Sequence, residues 1–246
     1  MRVIILAAGQ GTRLKPLTDD RPKCMVKLNN KPLIEYQLDL FEKNGVEDIN
    51  VITGYLEEMI EYNVIRKFFN PNFNNTNMVY TLFSASILFD GEEDILISYG
   101  DIIFNETVYE KITKSTDEIN VVIDKNWKDY WSARMNNPLN DAETLKINNE
   151  GKIIEIGKKP NSFNDIEGQY IGLIKIRKDV VKNFLSLYKS LDQSLLYDGK
   201  DFDNMYMTSF LQMLADNKND LSPVYIYNGW LEVDEPTDLN YQSFLE

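Results

Sequence analysis

Residues 1–27 read MRVIILAAGQGTRLKPLTDDRPKCMVK, and the way this stretch divides decides the fold. Val3-Ile4-Ile5-Leu6 is an unbroken apolar run, a strand candidate that leads straight into the small residues Ala7-Ala8-Gly9-Gln10-Gly11. Thr12 and Arg13 follow, and Lys23 stands ten residues beyond Arg13. A loop of this kind lets backbone N–H groups approach a polyphosphate closely, with an arginine and a lysine placed to neutralise it. The same residues also fit a tight turn after an N-terminal strand, with cations scattered beside it. Both readings stay open on these residues alone.

Beyond the loop, Lys31-Pro32 precedes Leu33, Tyr36, Gln37, Leu40 and Phe41, whose spacing predicts a helix that ends before Gly45. Ile49 to Thr53 reads as a second buried strand, and a charged helix is expected around Leu56–Phe68. This β-α-β-α order with nearly continuous apolar strands predicts an α/β fold, a mostly parallel sheet covered on both faces by helices. A helix is expected over Asn77–Phe89. The strand Asp94-Ile95-Leu96-Ile97-Ser98 then delivers Asp101 to its carboxyl end, where ligands of such sheets collect. A lone acid there can equally be a cap or turn residue.

From Val121 the texture changes. Val121–Asp124 reads as a strand, Trp127 and Trp131 sit four apart, and Thr144–Ile147 with Lys152–Ile156 reads as a hairpin across Asn149-Glu150-Gly151. Gln169–Ile176 is a further strand. Residues 125–176 are read as a small inserted antiparallel region that builds an acceptor pocket, the alternative being a decorated sheet edge. Helices over Val180–Leu191 and Phe202–Ala215, strands over Val224–Tyr227 and Trp230–Val233, and a terminal helix over Pro236–Phe244 complete the prediction. In the last strand a period of two puts Trp230, Glu232 and Asp234 on one face, where the acids could face solvent or complete a metal site beside Asp101. With no repeat or linker, residues 1–246 are expected to form one domain.

Composition narrows the chemistry. The chain has no histidine, which removes histidine triads, histidine bases and histidine zinc sites, and its one cysteine, Cys24, excludes an internal disulfide. A net charge of −13 argues against nucleic acid as a partner, yet residues 1–31 carry seven cations and two acids. That distribution suits a small anionic ligand bound at one focus. There is no signal-peptide pattern and no apolar run of membrane length, so a cytoplasmic protein without a membrane partner is expected.

Ala7 to Thr18, Arg21-Pro22-Lys23, Lys31-Pro32-Leu33-Ile34, Tyr99-Gly100-Asp101 and Trp230 to Asp234 together resemble the sugar-nucleotide pyrophosphorylase type of nucleotidyltransferase, whose Rossmann-like domain is the nucleotide-diphospho-sugar transferase fold. The resemblance implies attack by an acceptor phosphate oxygen on the α-phosphorus of a nucleoside triphosphate, with release of pyrophosphate. It assigns Leu6, Ala7, Ala8, Gly9, Gly11, Thr12 and Asn77 to the nucleotide. Arg13 and Lys23 fall to the phosphates, and Asp101 and Asp234 to Mg²⁺. A phosphate nucleophile is already largely ionised at neutral pH, so no general base is required, which suits a chain without histidine.

Val51-Ile52-Thr53-Gly54-Tyr55 and Asn77-Met78-Val79-Tyr80-Thr81-Leu82 are closer to short cytidylyltransferases of the phosphocholine and aminoalkylphosphonate type. The run from Trp127 to Glu143 and Asp165 to Gly172 is similar to enzymes of bacterial capsule and lipopolysaccharide phosphoramidate pathways. That similarity implies CTP and L-glutamine phosphate as substrates. Lys158-Lys159-Pro160 departs from the Glu-Lys-Pro of the sugar enzymes, which suits a more anionic acceptor. Lys159, Glu167, Trp131 and Arg134 are the expected acceptor contacts, and relatives of this type are often homodimers. The competing expectations are a sugar-1-phosphate nucleotidylyltransferase using UTP, dTTP or CTP, and a nucleotide-binding module without catalysis. A dinucleotide-binding fold is disfavoured because the third glycine of its fingerprint is missing after Gly9-Gln10-Gly11.

Overall fold

Along the first strand, Val3 and Ile5 pack into one hydrophobic cluster while Ile4 and Leu6 pack into another. Alternate residues of a strand point to opposite faces, so an apolar run without alternation is buried on both sides. The computed structural model describes residues 1–217 and 221–245. Among these, seven strands form the main sheet: β1 (Arg2–Ala7), β2 (Asp48–Thr53), β3 (Ile65–Phe69), β4 (Ile95–Tyr99), β5 (Ile119–Asp124), β6 (Gln169–Ile176) and β7 (Leu221–Ile226). Their spatial order is β7-β5-β6-β4-β1-β2-β3, and every pairing is parallel except the two made by β6. The α/β reading with a mostly parallel sheet therefore holds. Helices α1 (Leu33–Lys43), α2 (Met78–Ser84), α3 (Glu106–Lys114), α4 (Trp127–Arg134), α5 (Val181–Ser190) and α6 (Met207–Asp216) surround it.

The hairpin Leu145–Ile147 with Ile153–Ile156 is antiparallel as read. The strand that follows it is not part of a separate subregion, because β6 lies between β5 and β4 in the middle of the main sheet. Two other expectations fail. The charged helix over Leu56–Phe68 is a single 3₁₀ turn, Glu57–Met59, followed by β3. Ile65, Phe68 and Phe69 prefer a pleated surface, and Arg66 and Lys67 serve an edge strand by pairing with Asp48 and Glu57. The terminal helix over Pro236–Phe244 is two 3₁₀ turns, Pro236–Asn240 and Gln242–Leu245. The first is fixed by Asp238, whose carboxylate accepts the N–H groups of Asp234 and Glu235 at 2.8 Å each. None of the described helices is long and apolar enough to cross a membrane.

Candidate active site

Asp101 stands just past the carboxyl end of β4, and the chain turns there into the short strand Ile102–Phe104. That strand pairs antiparallel with Trp230–Glu232, setting Glu232 opposite Ile102 and Trp230 opposite Phe104. The Val233 N–H donates to the Asp101 carbonyl at 3.0 Å, so the backbone itself delivers Asp234 beside Asp101. Trp230 is locked from behind, its indole N–H donating to the buried Asp124 carboxylate at 2.9 Å. On the other side, the Gln37 side-chain amide donates to the Tyr99 and Ile102 carbonyls at 2.8 and 2.7 Å, holding the turn that carries Asp101.

The loop after β1 faces this pair across a cleft of about 270 Å³. Leu6, Ala7, Ala8, Gly9, Gly11, Thr12 and Asn77, all assigned to the nucleotide, line it together with Arg13, Lys23, Asp101 and Asp234. Gly11 is required twice over. Its φ of +67° is left-handed, and a Cβ there would lie 2.9 Å from the Lys23 side chain, which crosses the loop at that point. Asn77 begins α2, its side chain accepting the Met78 N–H at 2.8 Å.

Charge in the cleft is balanced by contact. The Lys23 ammonium bridges the carboxylates of Asp101 and Asp234, and Arg13 reaches Asp234 at 2.8 Å. Burial works against the ammonium form of Lys23, but the facing Asp101 and Asp234 carboxylates overcome it and raise its pKa. Burial likewise opposes ionisation of Asp234, yet Lys23 and Arg13 hold its carboxyl below the ordinary range. Glu232 goes the other way, pushed up by burial and by the Asp234 charge. One oxygen each from Asp101, Glu232 and Asp234 lies within 4.8 Å of the others, and Oδ1 of Asp101 is buried without a hydrogen-bond partner among the described residues. Three convergent hard oxygen donors, one carrying an unused lone pair, fit a divalent cation of the Mg²⁺ kind.

The sequence profile of nucleotidyl transferases matches residues 2–231. The chain belongs to this nucleotidyl transferase family. It is 43% identical to CTP:phosphoglutamine cytidylyltransferase of Campylobacter jejuni, over 98% of this chain and 99% of that protein. It is 37% identical to choline-phosphate cytidylyltransferase of Streptococcus pneumoniae over 47% of this chain and 52% of that one. Its fold superposes on the inositol-1-phosphate CTP transferase of T. maritima with a TM-score of 0.76, at 22% identity, covering 99% and 93% of the two chains.

The residues expected to contact the acceptor are placed less uniformly, and none of the four lines the cleft. Trp131 is buried in the core against Tyr130 and Trp230, its indole N–H donating to Asp141 at 3.0 Å. The side chain of Arg134 is nearly inaccessible as well. Its guanidinium clamps Asp238 at 2.9 and 3.1 Å and Glu232 at 3.1 Å, supporting the acidic cluster from beneath. Glu167 is exposed at the hairpin, where its side chain accepts the Ile147 N–H at 3.0 Å. Lys159 is exposed and makes no ion pair among the described residues.

Other parts of the site went unassigned in the sequence. Tyr130 exchanges hydrogen bonds with the backbone of Glu232 at 3.0 and 3.1 Å, and Asp238 orients the turn that holds Asp234. The partner of Tyr130, and the Arg134 that Asp238 also holds, lie about a hundred positions away, beyond the reach of local pattern. Glu232 was legible through its period-two alignment with Asp234.

Proposed function

We propose that this nucleotidyl transferase is a Mg²⁺-dependent cytidylyltransferase. It transfers CMP from CTP to a small phosphorylated non-sugar acceptor, best L-glutamine phosphate, giving CDP-L-glutamine and pyrophosphate for surface-polysaccharide modification. The observation that carries the reaction class is the convergence of Lys23, Arg13 and the Asp101–Asp234 carboxylates on one wall of a glycine-loop cleft. The end-to-end likeness to the phosphoglutamine enzyme supports the choice of acceptor.

An acceptor phosphate oxygen attacks the α-phosphorus, the bond from that phosphorus to the β-phosphate bridging oxygen breaks, and the electron pair leaves on pyrophosphate. The obstacle is repulsion between two polyanions: unit charges ~4 Å apart oppose each other by roughly 4 kcal/mol at an effective dielectric of 20. Lys23 and Arg13 answer it by passing from the carboxylates to the triphosphate, where they neutralise charge and fix the phosphates for displacement. Asp101, Glu232 and Asp234 would hold the divalent cation, which supplies further neutralisation of the phosphate oxygens and Lewis-acid polarisation. The main-chain loop from Leu6 to Gly11 lies along the nucleotide and excludes water from that side. Lys159, exposed and without an ion pair among the described residues, is assigned to an anionic group of the acceptor.

A coupled pyrophosphate assay over CTP, UTP and dTTP against L-glutamine phosphate, phosphocholine and glucose-1-phosphate tests this. Pyrophosphate release is expected with CTP and L-glutamine phosphate and is expected to stop on chelation of divalent metal. Equal turnover without metal, or preferred turnover of the sugar phosphate with UTP or dTTP, would overturn the reading.

A further inference from the structure

Asn70 follows β3 directly and is fully buried, and its side-chain amide governs two hydroxyls that line the cleft. Its own backbone N–H donates to the Thr53 carbonyl at the end of β2, at 2.8 Å. The two faces of the amide are distinguishable. Its Oδ1 accepts the Asn72 N–H at 3.0 Å, so it is the NH₂ group that meets Thr76 Oγ1 and Thr81 Oγ1, each at 3.1 Å. An NH₂ group only donates. Both hydroxyl oxygens are therefore acceptors toward Asn70, and the direction of each proton is set elsewhere.

Thr76 spends its proton on the Asn72 carbonyl, at 3.0 Å, and keeps only a lone pair for anything in the cleft. Thr81 is different. It is buried on α2, and no acceptor among the described residues takes its hydroxyl proton. That proton finds its partner from the cleft side. One amide thus holds a hydroxyl that accepts and a hydroxyl that donates, both on the wall of the cleft.

This wall is the one that suits a base. Phe73, Thr76, Asn77, Met78 and Thr81 bring no charge to the cleft, whereas Arg13, Lys23, Asp101 and Asp234 bring all of it. A triphosphate goes to the charged groups, which leaves the neutral base to residues 73–81. That segment is docked on the glycine loop. The Gln10 amide donates to Asn74 at 2.9 Å, and a Cβ on Gly54 would fall 2.6 Å from Phe73 Cβ and 2.7 Å from the Ala8 carbonyl oxygen.

Cytosine offers an exocyclic amine that donates beside a ring N3 that accepts, and uracil and thymine offer the reverse, a carbonyl oxygen beside N3–H. We propose that Thr81 donates to N3 of the cytosine and Thr76 accepts from its amine, with Asn70 the positioning residue that fixes both polarities and so selects CTP over UTP and dTTP. Against uracil the Thr81 proton would face N3–H and the Thr76 lone pair would face a carbonyl oxygen. Buried polar groups left unpaired in this way discriminate strongly. The proposal rests on the cytidylyltransferase reading and deepens it, because it states which groups choose the base.

The test is steady-state kinetics of wild type, T81V, T81S, T76V and N70D with CTP, UTP and 3-deaza-CTP, whose ring carries C–H in place of N3. L-Glutamine phosphate and phosphocholine serve as acceptors, and thermal melts are the folding control. Wild type is expected to use 3-deaza-CTP about tenfold or more less well than CTP in kcat/KM. T81V should lose about tenfold or more of the preference for CTP over UTP and should no longer distinguish CTP from 3-deaza-CTP, whereas T81S keeps both ratios. T76V should weaken the preference over UTP and keep the 3-deaza penalty. N70D replaces a donor with an acceptor that draws the Thr81 proton away, so it should lose the 3-deaza penalty although both threonines remain. T81V carries the decision should N70D fail to fold. A folded T81V with both wild-type ratios would overturn the proposal and leave the cytidylyltransferase reading standing, and so would a wild type indifferent to N3. Wild-type enzyme that prefers UTP to CTP, or that transfers CMP to neither acceptor, would overturn both.

Discussion

Asp101 accepts from Lys23 on one oxygen and leaves the other unpartnered, so its replacement tests charge with little change of shape. Asp101→Asn is expected to fold and to lose about 10²–10³ or more in kcat, the scale seen when one electrostatic element of a preorganised site is removed. A variant retaining more than about a tenth of wild-type turnover would contradict that role. Glu143 gives a pH prediction. Burial lifts its carboxyl to about 7, so across the interval from the ordinary carboxylate value to that pH the native state binds a proton the unfolded chain has released. Stability therefore falls as pH rises through the interval and levels off above it. Relative to wild type, E143Q should gain up to about 3 kcal/mol between pH 4 and pH 8 in denaturant titrations. A difference that does not change with pH would count against the raised pKa of Glu143. Cys24 is buried and its thiol is pushed up to about 12 by burial, so native protein should resist alkylation at pH 8 and react only on unfolding.

At the scale of elements, what was legible depended on how far apart the partners lie. β1, β4 and the pair Asp101 and Asp234 could be read because an apolar run, a strand end and a short motif each carry their own signal. The helix α4 could not be assigned a face. Trp131 and Arg134 look like pocket residues until Trp230, Glu232 and Asp238, about a hundred positions later, close over them. β3 was misread because alternating charges suit both an exposed helix and an edge strand, and only pairing with β2 decides between them. The support under the acidic cluster now makes a prediction of its own. Removing a partner from a buried ion pair leaves uncompensated charge, so Arg134→Met should destabilise the fold by about 3–5 kcal/mol. Arg134→Lys should recover only part, since an ammonium cannot reproduce the three hydrogen bonds to Asp238 and Glu232. Melting temperatures of the two variants within a degree or two of wild type would show the clamp to be dispensable.

Over the whole molecule, a chain of net charge −13 holds its glycine-loop cleft where residues near its two ends meet. Arg2, Arg13, Lys23 and Lys31 are each already paired with an acid, most of them far away in sequence. In the cleft these cations and carboxylates neutralise one another, and the Arg13–Asp234 contact ties together residues 221 positions apart. A triphosphate that draws Arg13 and Lys23 onto itself releases these carboxylates for a divalent cation, so nucleotide and metal should bind with mutual support. CTP with Mg²⁺ at a hundred times the dissociation constant should stabilise the fold by about 2.7 kcal/mol, and CTP with chelator by clearly less. Hydrogen exchange should show the added protection both at residues 6–25 and at 230–245, because each of these stretches supplies part of the site. In Asp234→Asn the metal-dependent share of the stabilisation should vanish while binding of CTP itself persists. Protection confined to the N-terminal loop, or an equal shift with and without metal in the wild type, would mean that the two ends of the chain do not act together on the nucleotide.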